Sequence, residues 1–193
     1  MKKLLISLAL FLPLAPSAQA AITNFDLIGT AGSGLLPGNE PGSVFGGTGG
    51  EIGAGIFYND VTNLLTINVG WGSSQGFTDL SSAANNSHLH GPTAAANGAG
   101  FTQTAGVSFN LTRSSSLSTG GTFISAPLLL SALQATELFD GKFYINLHTA
   151  TNTGGEMRGF LVAAPIPEPA EYAMLLAGLA LVGAIARRRK QTA

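Results

Sequence analysis

Cysteine is absent from all 193 residues. No disulfide can staple this chain, so its fold stands on a hydrophobic core alone. Charge is also scarce, at 10% of residues, and its placement matters more than its amount. Between residues 21 and 164 the acids are Asp26, Glu40, Glu51, Asp60, Asp79, Glu137, Asp140 and Glu156, against the cations Arg113, Lys142 and Arg158. That segment therefore carries a formal charge of −5, although the whole chain is near neutral at −1. With so little Lys and Arg it has no electrostatic footprint for nucleic acid or anionic lipid. There is no phosphate-cradling G-x-x-x-x-G-K-[ST] loop, no EF-hand spacing and no H-E-x-x-H helix.

The two ends hold what the middle lacks. Lys2 and Lys3 precede an apolar stretch at 4–14, and Ala18-Gln19-Ala20 follows. These are the three regions of a secretory signal peptide at 1–20, with cleavage by signal peptidase expected between Ala20 and Ala21. Its apolar part is too short to be a lasting membrane anchor. At the other end stand Pro167-Glu168-Pro169, an apolar span at 170–186, and Arg187-Arg188-Arg189-Lys190. Proline fixes φ and has no N–H, so the first motif reads as extended and accessible to a protease. As a helix the span is roughly 26 Å long, the lower limit for crossing a bilayer. The four cations would then stay on the cytoplasmic side as a basic stop. This tripartite tail, 165–193, closely resembles the PEP-CTERM sorting signal of exported bacterial proteins. The resemblance implies processing by an exosortase, transient anchoring in the inner membrane through 170–186, and an exopolysaccharide or biofilm setting.

The remaining 21–164 is one domain's worth of chain, and its pattern is β. Ile52, Ala54, Ile56 and Tyr58 alternate with Gly53, Gly55, Phe57 and Asn59; after an Asn59-Asp60 turn, Leu65, Ile67, Val69 and Trp71 alternate with Thr66, Asn68 and Gly70. Val107, Phe109 and Leu111 mark another half-buried strand, Phe143, Ile145 and Leu147 a further one, and 157–162 the next. The face assignments predict a core containing Ile56, Ile67, Val69, Phe109, Ile145 and Leu147. One short helix is expected at 131–139: Ser131 and Gln134 have capping-box spacing, Leu133 and Leu138 face inward, and Gly141 ends it. Eleven glycines between Gly29 and Gly55 mark 29–50 as a flexible surface loop. Short strands separated by Gly, Asn and Ser clusters predict an all-β fold, an antiparallel β-sandwich of immunoglobulin-like or superoxide-dismutase-like type.

Two passages carry a resemblance. His88-Leu89-His90-Gly91-Pro92 with the Asn97-Gly98 turn, and Tyr144-Ile145-Asn146-Leu147-His148-Thr149 with Gly154-Gly155-Glu156-Met157-Arg158-Gly159, are together similar to the CHRD domain, named after chordin and found in many secreted bacterial proteins. The resemblance spans roughly Phe25 to Val162 and implies an extracellular β-rich module. It brings no established reaction. A proline common in the family between the Thr and the Gly pair is here Thr153.

The three histidines of the chain all lie in these passages. His88 and His90, two apart on an extended segment, point to one face, and His148 lies on a second strand. If the strands are neighbours, three imidazoles converge in a donor set suited to copper or zinc. Glu156 and Arg158 are then expected nearby, either supporting a histidine or contacting an anion; alternatively they pair with each other while the histidines bond loop carbonyls. His-x-His on a β-sandwich also resembles copper, zinc superoxide dismutase. That enzyme's fourth copper histidine, zinc ligands and disulfide have no counterpart here, so the likeness does not extend to dismutase activity. Gly72-Ser73-Ser74-Gln75-Gly76 matches G-x-S-x-G, with Asp140 and His148 following in hydrolase order. A nucleophile elbow must join a strand to a helix, whereas this run leads into a Ser/Asn-rich loop. Asn85-Asn86-Ser87 and Asn110-Leu111-Thr112 fit glycosylation sequons and read as polar turns. The sequence thus points to an exported, noncatalytic envelope or matrix module that binds a polymer or protein, with a transition-metal site at His88, His90 and His148 as the alternative.

Overall fold

The computed structural model describes residues 21–42, 44–123, 126–165, 174–182 and 187. Ten strands run in chain order as β1 Ile22–Gly29, β2 Gly32–Ser33, β3 Gly49–Asn59, β4 Leu64–Trp71, β5 Ala84–His90, β6 Val107–Asn110, β7 Gly121–Thr122, β8 Leu128–Leu129, β9 Tyr144–Thr149 and β10 Met157–Ala163. They form one antiparallel sheet in the order β6-β5-β9-β10-β1-β3-β4-β7, with β2 on β1 and β8 on β4. The expected all-β antiparallel class is therefore observed, and its layers come from a single continuous sheet curled into a half-barrel.

The alternation that marked the strands fixes which side chains enter the concave core. Phe25, Leu27, Ile56, Ile67, Val69, Trp71, Leu89, Ile145, Leu147 and Leu161 are all buried in one cluster. Phe109 packs against it partly buried, because β6 is an edge strand. The β3–β4 hairpin pairs regularly from Ile56 to Asn59, but the register shifts between Glu51 and Ile56. Gly53 and Gly55 there have φ of 55° and 68°. Consequently Ala54 is exposed rather than buried, contrary to strict alternation.

The helix forms at Ala132–Phe139 with Ser131 as N-cap and a complete capping box: Gln134 N–H donates to Ser131 Oγ, and Ser131 N–H to Gln134 Oε1. Gly141, at φ 68°, closes its end. Leu138 is buried, but Leu133 is 68% exposed, which corrects its inward assignment. Five residues at 100° each place these two side chains about 140° apart, too far to share one narrow face; Ala135, three before Leu138, takes the inner position.

The glycine-rich segment differs most from expectation. Instead of a surface loop it is a packed strap: Leu35 is fully buried, and Asn39 and Glu40 are nearly so. Leu36 exchanges backbone hydrogen bonds with Arg158 at 3.2 Å in both directions, and Leu35 does the same with Gly49 at 2.8 and 2.9 Å. The Asn39 amide donates to the Arg158 carbonyl at 2.9 Å, and its Oδ1 accepts from Ala31 N–H at 2.8 Å. The strap delivers Asn39 and Glu40 to the face of β9 and β10 opposite the core.

Both the signal-peptide residues, including Ala20, and the sorting motif Pro167-Glu168-Pro169 lie outside the described residues, as do Arg188, Arg189 and Lys190. Within the expected 170–186 span, 174–182 are helical and exposed. Among the described residues no helix is long and apolar enough to cross a membrane.

Candidate functional site

Antiparallel pairing of β5 with β9 brings the histidines together. Across these strands Asn86 faces His148, His88 faces Asn146, and His90 faces Tyr144. Cross-strand partners share a face, so Asn86, His88, His90, Tyr144, Asn146 and His148 all lie on the side opposite Leu89, Ile145 and Leu147. The ligand nitrogens of the three histidines lie within 4.8 Å of one another. The tightest pair is His88 Nδ1 and His148 Nε2, at 3.1 Å. Two nitrogens bonded to one ion at ~2.0–2.2 Å can be at most about 4.4 Å apart. The widest spacing therefore closes with a small rotation of one ring, and an ion would displace the proton now shared by His88 and His148.

The outer ring nitrogens define the tautomers. His148 Nδ1 lies 2.9 Å from the Thr153 carbonyl and His90 Nδ1 2.9 Å from the Ala105 carbonyl, so each donates there and leaves Nε2 as an acceptor. His90 Nε2 is buried without a partner. A carbonyl behind each imidazole is how metal-ligating histidines are usually oriented. Burial lowers the pKa of His88 from 6.5 to about 4, and the neighbouring His148, His90 and Arg113 push it the same way. Burial also lowers His148, against the bond from its Nδ1–H to Thr153. Both rings are neutral at pH 7, as ligation requires.

Neither Glu156 nor Arg158 takes the supporting role expected of it. Glu156 is fully buried and accepts from Gly47 N–H at 2.8 Å, Ser81 N–H at 2.7 Å, Thr149 Oγ1 at 2.6 Å, Asn152 Nδ2 at 3.1 Å and the Ser81 hydroxyl. Burial alone would raise its pKa, but these bonds more than offset that, and the carboxyl is held below its usual range. It is a charged pin joining β9, the strap and the loop before β5. Arg158 donates to the carbonyls of Asn39 at 2.8 Å, Gln103 at 3.2 Å and Phe101 at 2.9 Å. Its guanidinium also lies 4.9 Å from the centre of the Tyr144 ring, which stacks on His90 at 4.8 Å and 3°. Arg158 thus reaches the histidines only through Tyr144. Its loss of water contact, at 2% exposure, removes it as an anion guide.

The G-x-S-x-G match has no catalytic geometry. Ser74 sits on the short 3-10 turn Ser73–Gln75 after β4, four strands from β9, and Asp140 pairs with Lys142 at 3.4 Å.

Sequence reasoning missed Glu40. It lines a pocket of about 550 Å³ together with His90, Tyr144, Asn146, His148 and Gly155. Burial raises its pKa from 4.5 to about 7, against the pull of Arg158. Gly155, at φ 133°, lies so close to the Glu40 carboxylate that a Cβ would collide with it. The one available signal was a lone acid in a stretch that also contains the apolar pair Leu35-Leu36.

The chain is therefore an all-β module that presents three histidines on the outer face of a curled sheet and is followed by a separate tail. It belongs to the CHRD domain family, whose model matches residues 35–161. Residues 165–190 match the PEP-CTERM protein-sorting motif, so the protein is exported, is sorted by an exosortase and resides in the cell envelope or outside the cell. No curated protein and no solved structure matches it.

Proposed function

We propose that this protein is a noncatalytic envelope or matrix module that holds copper or zinc on His88, His90 and His148. The observation carrying this reading is the convergence of three partly enclosed imidazoles whose ligand nitrogens lie within 4.8 Å, two of them oriented by backbone carbonyls. Three imidazoles suit both ions, and divalent copper binds such a set more tightly than zinc. In this reading signal peptidase cuts between Ala20 and Ala21, and the 170–186 span anchors the precursor in the inner membrane until the exosortase acts near Pro167-Glu168-Pro169. The mature module then works in an exopolysaccharide matrix, bound to a polymer or protein. Intact mass and metal content, measured on untagged protein from its native envelope, test both halves together. The expected product begins at Ala21, lacks the residues after Pro169 and carries near-equimolar copper or zinc. Copper titration of the wild type against His148→Ala decides the metal site: equal affinity in both would sink it.

A further inference from the structure

The pocket beside the histidines has more unmet hydrogen-bonding capacity than a metal would use. Glu40 is 8% exposed and Asn146 3%, yet Glu40 Oε1 and Asn146 Oδ1 are both buried without a hydrogen-bond partner. Both atoms belong to side chains lining the same pocket of about 550 Å³, well within the roughly 300–1,000 Å³ of small-molecule sites. An unmatched buried acceptor costs about 1–3 kcal/mol, so a ligand that brings donors, and toward which these side chains turn, recovers that free energy.

The acceptors also define the ligand's charge. The two unpartnered oxygens, on a carboxyl and a carboxamide, welcome O–H groups and offer an anion nothing to bond. The Arg158 guanidinium has little left to donate to a ligand, because three of its N–H groups are committed to the carbonyls of Asn39, Gln103 and Phe101. Phe45, next in the chain to a residue of the pocket lining, is 86% exposed. Its chain neighbour Val44 lines the pocket, and its carbonyl accepts a 3.3 Å bond from Asn152 Nδ2, whose residue is also part of the lining. An apolar ring left in water beside a row of acceptors matches a molecule with a C–H face and an O–H edge.

We propose that this pocket binds a neutral sugar unit, its hydroxyls donating to Glu40 and Asn146 and its ring face resting on Phe45. This deepens the reading of a matrix module that binds a polymer, and it does not require an ion on the histidines. The test is calorimetric titration of the processed protein, treated with chelator, using cellohexaose, maltohexaose and xylohexaose as neutral probes and hexagalacturonate as the anionic one. At least one neutral probe should bind, and hexagalacturonate should bind at least about tenfold more weakly, a difference of ~1.4 kcal/mol. Phe45→Ala removes an exposed side chain without touching the core, and should weaken the neutral probe by a similar factor. Glu40→Gln should weaken it as well. Binding by none of the neutral probes, equal binding of hexagalacturonate, or unchanged binding by Phe45→Ala would each overturn the proposal. Failure of the metal reading shows separately, as a lack of copper uptake by the same protein before chelation.

Discussion

Replacing Glu40 with Gln should change how the protein's stability depends on pH. The carboxyl is enclosed by the strap, by Gly155 and by the outer face of β9, and this enclosure raises its pKa from 4.5 to about 7. A carboxyl raised in the folded state binds its proton more tightly there than in the unfolded chain. Its contribution is therefore fully present below pH 4.5 and declines as pH rises through about 7, beyond which it stays constant. At ~1.4 kcal/mol per pH unit the displacement corresponds to about 3 kcal/mol lost between pH 4 and pH 8. Gln has nearly the same shape and no proton to lose. The assay is urea denaturation of wild type and Glu40→Gln at pH 4, 6 and 8, read as the difference in unfolding free energy. Titration of Glu156 and the histidines cancels in that difference. The variant should gain about 3 kcal/mol on the wild type between the acid and the alkaline ends. A difference independent of pH would show that Glu40 is solvated and that the strap does not enclose it.

Two further predictions follow from burial. Ile145→Ala should cost on the order of 2 to 5 kcal/mol, because Ile145 is fully enclosed in the central strand β9; a chemical-denaturation loss below ~0.5 kcal/mol would place that side chain on the wrong face. For copper, burial holds His88 at about 4 and lowers His148, so His88 in particular stays neutral well below the usual 6.5. The affinity that the wild type gains over His88→Ala should therefore persist below pH 6 and be lost towards pH 4 as His88 takes up its proton. An isothermal titration series in which that difference already vanishes near pH 6.5 would mean that the His88 ring is solvated. Stability follows the same sign as a depressed pKa requires: the His88 contribution is present above pH 6.5 and is lost as pH falls towards 4, opposite to that of Glu40.

The parts of the site that depend on local parity were legible in the sequence. His88 and His90 share a face because they are two apart on a strand, and Ile145 and Leu147 define the opposite face from His148 by the same rule. The capping box at Ser131 and Gln134 is equally local. Strand neighbourhood is another matter. Nothing in the chain between Ala84–His90 and Tyr144–Thr149 specifies that β5 lies beside β9, a pairing that closes over more than fifty residues. The matching passages raised the convergence as a condition, and the register met it. Glu40 was hidden for the opposite reason: a high glycine count resembles a flexible linker, yet here glycine permits close packing. At Gly155 a side chain would strike Glu40, and at Gly46 it would strike Glu156.

That close packing explains why the site's chemistry is concentrated on β9. A strand of a half-barrel ordinarily buries one face, and the alternation of Phe143, Ile145 and Leu147 with Tyr144, Asn146 and His148 reads that way. In the structure every residue of β9 except His148 is buried. The strap explains the excess: Leu36 pairs with Arg158, Asn39 binds the Arg158 backbone, and Glu40 closes over Asn146 and Tyr144. Covering a polar face with glycine-rich backbone removes water from Glu40, Asn146, Arg158 and the histidines together. Enclosure raises the Glu40 carboxyl and lowers His88 and His148, and three buried atoms, on Glu40, His90 and Asn146, are left without a hydrogen-bond partner in residues that line one pocket. A stable domain would not retain such acceptors for packing alone, since an apolar residue at position 146 would bury more favourably at no hydrogen-bonding cost. Their retention on one pocket, beside three imidazoles, is the physical reason to treat this face as the working surface of the molecule.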